Sequence, residues 1–278
     1  MKLNRIASVF HPTDFSRGDE GAFAHALRVA LSGEAVLALM HVGDADEEMH
    51  WSDFPSVRGM LAAWGVLPRG ASSGDVARTG LKAEKIRRRD RDAADAICDH
   101  VEAEQPSLVV LSTHQRRGIS RWLHPSASER IARAHDGMTL FVPRRVLGLV
   151  HANTGLVRLA RVLVPVDTHP SGQAAVDAAV LLARTLRCVE VHFILLHVGR
   201  EEDMPVVHFP DSNGWTHETR AWSGPVVEHI LETAEACDVD LIAMATRGHH
   251  GFLDALLGST TEQVLRACRC PLLAVTAR

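Results

Sequence analysis

No stretch of the 278-residue sequence approaches 18 consecutive apolar residues, so no transmembrane helix is expected. The opening Met1-Lys2-Leu3-Asn4-Arg5 runs into a polar turn and lacks the apolar core of a secretory signal. A basic excess is missing too. Thirty Lys and Arg face 34 Asp and Glu, for a net charge of −4, which argues against a nucleic-acid-binding surface. The cysteines are few, odd in number and scattered: Cys98, Cys188, Cys237, Cys268 and Cys270. They form no disulfide framework, and the reading is a reducing cytoplasm. There is no Gly-x-x-x-x-Gly-Lys-Ser/Thr phosphate loop, no His-Glu-x-x-His zinc motif and no hydrolase triad order. Tyrosine is absent and histidine abundant, at 17, and neither fact singles out a function.

What is present is a repeat. His11-Pro12-Thr13-Asp14 aligns with Val164-Pro165-Val166-Asp167 at an offset of 153. Leu39-Met40-His41-Val42-Gly43 aligns with Leu195-Leu196-His197-Val198-Gly199 at 156, and Leu108–Thr113 with Leu241–Thr246 at 133. The drop places about 23 extra residues of the first half between Trp51 and Gly80. The predicted division is 1–144, a linker or hairpin at 145–160 around Asn153-Thr154-Gly155, and 161–278.

Each half alternates apolar runs with helical periodicity. In the first half strands are expected at Ile6–Phe10, Ala35–Val42, Leu81–Ile86, Leu108–Ser112 and Thr139–Val142. Helices are expected at Gly21–Leu31, Ala93–Glu102 and Ser126–Ala134. The second half has strands at Arg161–Val166, Val189–Val198, Asp240–Ala245 and Pro271–Thr276. Its helices are one behind a Ser171 N-cap, Val226–Cys237 and Ser259–Ala267. This predicts two tandem α/β units of Rossmann-like, doubly wound type, each with a five-stranded, mostly parallel sheet. Ligands on such sheets bind at the carboxyl ends of the strands, near the topological switch point. The insert carries Phe54, Val57, Leu61, Trp64 and Leu67 at helical spacing, expected to pack on its own half.

Chemistry concentrates in Ala245-Thr246-Arg247-Gly248, nine residues, then Gly258-Ser259-Thr260. This loop leaves a strand and enters a helix. Backbone N–H groups at a helix start favour an anion, and glycine lets the backbone approach a phosphate. The hydroxyls of Ser259 and Thr260 can cap the helix or donate to phosphate oxygens.

The stretch resembles the Gly-2x-Gly-9x-Gly-Ser/Thr nucleotide signature of the universal stress protein family. Val162–Asp167, Leu196-His197-Val198, Asp240–Gly248 and Cys270–Val275 resemble that family's strands one, two, four and five. The resemblance covers both halves, as a tandem member would. It implies ATP, ADP or AMP across the ends of strands one, two and four, with Mg²⁺ brought by the nucleotide. The implied site is Pro165, Val166, Asp167, Val198, Ala245, Thr246, Arg247, Gly248, Gly258, Ser259 and Thr260. Asp167 and Val198 would lie near adenine or ribose, and Gly248, Gly258, Ser259 and Thr260 at the phosphates. Ala245 stands where the signature has its first glycine. The first half has Ser112, Gln115 and Pro125 in place of all three glycines, keeping Ser126 and Asp14. It is therefore expected to bind nucleotide poorly or not at all. The resemblance further implies that Thr139–Val142 and Pro271–Thr276 pair antiparallel as a pseudo-dimer, and that two chains can associate further.

The implied role is stress response or signalling with at most slow ATP hydrolysis, since no residue stands out as a base. The alternative is a scaffold of the same fold that has lost nucleotide. Other features read structurally. His41 and His197 sit at matching strand ends, and Cys268-Arg-Cys270 reads as small buried hydrophobes. Lys85–Asp92 reads as a solvated loop, and His249-His250 as an exposed pair. No metal site of the protein's own is expected.

Overall fold

The structure is a computed structural model that describes residues 4–43, 50–113, 127–144, 146, 148–210, 212, 214–247 and 260–277. In the first half, β1 (Ser8–Pro12) leads to α1 (Glu20–Gly33) and β2 (Val36–Gly43). The insert follows as two short helices, α2 (Val57–Ala63) and α3 (Ser73–Arg78). Then come β3 (Lys82–Arg89), α4 (Ala93–Glu104), β4 (Leu108–Thr113), α5 (Ala127–Ala134) and β5 (Met138–Pro143). The second half repeats the order with β6 (Arg161–Pro165), α6 (Gln173–Thr185), β7 (Val191–Val198) and β8 (Trp215–Trp222). It closes with α7 (Val226–Ala236), β9 (Leu241–Arg247), α8 (Thr260–Ala267) and β10 (Leu272–Ala277).

All ten strands join one sheet, ordered β3-β2-β1-β4-β5-β10-β9-β6-β7-β8. The apolar runs explain the centre. Strands such as Leu108–Leu111 are buried on both faces, as parallel strands under two helical layers must be. Each half is parallel throughout, and the halves meet where β5 and β10 pair antiparallel, Phe141 opposite Leu272 and Met138 opposite Val275. The expected pseudo-dimer seam is therefore present. One face carries a single apolar cluster running through both halves, from Phe23, Ala26 and Ala30 of α1 to Ala175, Ala179 and Ala183 of α6. The small side chains of these helices let both lie close to the sheet.

The connection between the halves is a hairpin. Val150 bridges Val157 antiparallel, and Gly155 turns it at φ +67°. A Cβ at Gly155 would collide with the Trp64 ring, whose Nε1 donates to the Ala152 carbonyl at 2.7 Å. The insert thus packs on its own half, with Phe54, Val57, Leu61 and Leu67 buried. It also clasps the hairpin.

Several expectations need correction. The helix of the insert is confined to Val57–Ala63, and Leu67 reaches the core through the turn behind it. The Lys85–Asp92 run is not a loop, because β3 continues to Arg89 in parallel register with β2. It forms one outer edge of the sheet, where charge discourages further strand pairing. The fifth strand of the second half is β8, the opposite edge; its Trp-Thr-His-Glu-Thr-Arg-Ala-Trp sequence lacks the apolar run that marks the buried strands. Helix α6 starts at Gln173 behind Gly172, with Ser171 Oγ accepting from the Gln173 N–H at 3.4 Å without being the cap residue.

Candidate functional site

The site begins where two neighbouring strands separate. Strand β6 pairs with β9 at only two positions, Val162 with Leu241 and Leu163 with Ile242. Beyond them the chain leaves β6 toward α6 on one face, while β9 leads toward α8. That is the switch point of a doubly wound sheet, and the crevice between the carboxyl ends is its natural ligand position. The structure brings Pro165, Val166 and Asp167 to one wall and Ala245, Thr246 and Arg247 to the other, with Val198 at the end of β7 beside β6. Thr260 opens α8. Gly248, Gly258 and Ser259 lie outside the described residues, as do Gln115, Pro125, Ser126 and His249-His250.

Ala245 lies within β9, opposite Val275 in parallel register, and is absent from the positive-φ residues. Alanine therefore costs nothing in backbone strain where the signature has glycine. Val166 is buried, while Asp167 is exposed. The Asp167 Oδ1 accepts from the Thr168 amide at 2.7 Å, and among the described residues no cation pairs with this carboxylate. His197, at the end of β7, places Nδ1 3.2 Å from the Val166 carbonyl oxygen, so that nitrogen donates and ties β7 to the turn after β6.

The first half has the same crevice with a different content. Strand β1 meets β4 at only two positions as well, Val9 with Leu108 and Phe10 with Val109. Here the Arg144 guanidinium crosses the gap. Its Nη2 donates to Asp14 Oδ2 at 2.9 Å and its Nε to Ser112 Oγ at 2.8 Å. Partial burial works to raise the Asp14 pKa. The bonds from Ser16 and Arg144 overcome it and hold the carboxyl at about 2. The repeat offset of 133 puts Ala277 at the place of Arg144, and the strand registers agree: Thr113 faces Pro143 as Thr246 faces Thr276. Ala277 has no side chain to span the second crevice.

The base end of the first crevice is filled as well. Phe15 takes a left-handed backbone, φ +58°, and stacks on His41 with ring centroids 3.8 Å apart. Phe54 of the insert meets Phe15 edge-on at 5.1 Å, and Trp51 stacks on Phe54. His41 Nδ1 donates to the Thr13 carbonyl at 2.7 Å, the same bond that His197 makes to Val166. Both histidines thus have the structural role that their repeated position suggested. In the second half Thr168 stands where the first has Phe15, and no insert follows β7.

Sequence reasoning missed Arg144 and Phe15. The 133 offset, carried one residue past β5, would have exposed the unmatched arginine. Arg144→Ala should cost about 1 kcal/mol, because it removes two hydrogen bonds from a half-exposed pair. It should return the Asp14 carboxyl toward its ordinary value. Urea denaturation reads the first and a carboxylate NMR titration the second.

Burial pushes the thiols of Cys268 and Cys270 up to about 12, so neither is a thiolate near neutrality. Among the described residues, no group of three or more His, Cys, Asp or Glu is placed to hold a metal ion, and no helix is long and apolar enough to cross a membrane.

Comparison with known proteins agrees with this geometry. The family model described as "Universal stress protein family" matches residues 8–143 and 212–276, more than half of the chain and parts of both halves. Universal stress protein A homolog 1 of Coxiella burnetii is 47% identical over 53 residues, which cover 19% of this chain and 36% of that protein. Homolog 2 of the same organism is likewise matched over only 35% of its length. Universal stress protein YxiE of Bacillus subtilis is 26% identical over 147 residues, 41% of this chain and 97% of that one. The crystal structure of a universal stress protein from Archaeoglobus fulgidus superposes with a TM-score of 0.64 at 18% identity. It covers 98% of this chain and 97% of that one, and so shares the fold over the full length. The chain belongs to the universal stress protein family, in a tandem form that joins two copies of the fold through one continuous sheet.

Proposed function

We propose that this protein binds one adenine nucleotide per chain, ATP or its di- or monophosphate, in the crevice of the second half. The observation that carries this reading is the contrast between Asp167 and Asp14. The same carboxylate at the same point of the fold pairs with no cation among the described residues in one half, and is bridged by Arg144 in the other. A carboxylate beside an open switch point can accept from a ribose hydroxyl or a base amine. One already bonded to a guanidinium must give up that partner or share it.

Asp167 and Val198 would face the base and ribose. Ala245 to Gly248 and Gly258 to Thr260 would hold the phosphates through backbone N–H groups at the start of α8. Mg²⁺ would enter with the nucleotide. In this reading hydrolysis is slow at most. The protein acts in this reading as a stress-response binding protein whose nucleotide state changes its stability or its partners.

Isothermal titration with ATP should give one site per chain. Two equivalent sites would overturn the asymmetry, and no saturable heat would favour a scaffold that has lost nucleotide.

A further inference from the structure

The insert builds a cavity that the second half lacks. It has a volume of about 400 Å³, within the range of small-molecule sites, and lies between the β1–α1 loop, the first turn of α1, the insert and the connecting hairpin. Neither Asp14 nor Arg144 lines it, and Phe15 is the wall it shares with the first crevice. Its apolar wall includes Phe15, Phe23 and Met60, and its charged lining is Asp19, Glu20 and Asp53. No Lys, Arg or His is among the described lining residues.

The decisive group is Asp19. Its side chain is only 6% exposed, yet Oδ2 has no hydrogen-bond partner among the described residues. The nearest cationic group is His11, with Nε2 3.2 Å away. His11 Nδ1 lies 2.9 Å from the Val110 carbonyl oxygen and must donate there, so Nε2 carries a hydrogen only in the imidazolium. The lining thus holds a buried carboxylate oxygen whose neighbour is this one imidazole nitrogen. The Ser16 hydroxyl, another lining group, is also buried without a partner. A buried carboxylate in that state calls for a positively charged donor.

We propose that this cavity binds a small primary ammonium carrying an apolar body. Its N–H groups take Asp19 and the Ser16 hydroxyl, Glu20 and Asp53 add attraction at the rim, and its body lies against Phe15, Phe23 and Met60. Aromatic faces add favourable contact with a cation. Divalent metal fits less well, because most of the wall is hydrocarbon and offers no oxygen ligands.

The test is calorimetric titration of the full chain with phenethylammonium, with 2-phenylethanol as its uncharged counterpart. Saturable binding of one amine per chain, at least about tenfold tighter than the alcohol, is expected. Asp19→Asn should weaken the amine about tenfold or more. Because that change also disturbs His11, Ala63→Trp is the second variant. Ala63 lines the cavity from an exposed position, and the indole should block entry while leaving the fold intact. Asp167→Ala should leave amine binding unchanged, which separates this site from the nucleotide crevice. No saturable heat, equal affinity for the alcohol, or full amine affinity in Ala63→Trp would each overturn the proposal.

Discussion

Asp167→Ala should weaken ATP binding by roughly 10- to 100-fold, the cost of removing a hydrogen bond to a charged group in a ligand site. Asp14→Ala should leave ATP affinity unchanged. The two residues occupy the same place in the repeat, so composition and local sequence cannot account for a difference between them. The difference lies in what each already touches. Asp14 accepts from Arg144 at 2.9 Å and from the Ser16 amide at 2.9 Å. Its removal strands the guanidinium across the crevice and shows as a loss of stability of about 1 kcal/mol. Asp167 accepts only from its own neighbour Thr168 among the described contacts. Its loss should spare the fold and reach the ligand alone. Titration calorimetry on both variants, with circular dichroism to compare their melting, reads the crossed pattern. Equal loss of affinity in the two would mean that both halves bind. No loss in either would remove Asp167 from the site. Gly258→Trp is a harsher companion, and should abolish ATP binding if the loop ahead of α8 wraps the phosphates.

Part of this asymmetry is legible in the sequence. The repeat offsets located both crevices, and the missing glycines of the first half set it apart from the second. Apolar runs such as Leu108–Leu111 marked the central strands, because burial on both faces leaves no room for polar alternation. Strand β8 was not legible for the opposite reason. An edge strand has one open side and is mostly exposed, so its polar sequence reads as loop. Arg144 was hidden because its partner Asp14 lies 130 residues away. Phe15 was hidden because its meaning depends on an insert that folds back over β2. The positive closure of the first crevice is therefore a tertiary fact. The sequence lacks the loop glycines in the first half, and the structure adds that Arg144 and Phe15 stand at the strand ends there.

Acid should destabilise the protein between pH 6.5 and 4, and His25 should account for about 3 kcal/mol of that loss. His25 sits on α1 with Nδ1 2.7 Å from the Gly21 carbonyl oxygen and Nε2 3.1 Å from the Val150 amide nitrogen. The carbonyl can only accept and the amide can only donate. The ring must therefore be neutral, with its hydrogen on Nδ1 and a lone pair on Nε2. Burial pulls its pKa down to about 4, and the bond to Gly21 opposes that only in part. The unfolded chain binds this proton near pH 6.5, so stability is fully present above that value. It falls as the pH drops from 6.5 through 4 and levels off below. His100 and His135, whose pKa values burial also lowers, act in the same direction. Asp14 titrates lower, between its ordinary value of 3.8 and about 2, and does not confuse the window. The site of failure is specific, because Val150 belongs to the hairpin that joins the halves. Protonating His25 turns its acceptor into a donor facing another donor, and the hairpin loses its tie to α1. His25→Gln offers a side-chain oxygen to Val150 but cannot titrate. Urea unfolding at pH 7 and pH 4.5 should show a smaller drop in stability for this variant than for the parent. An equal drop would assign the acid sensitivity to other groups.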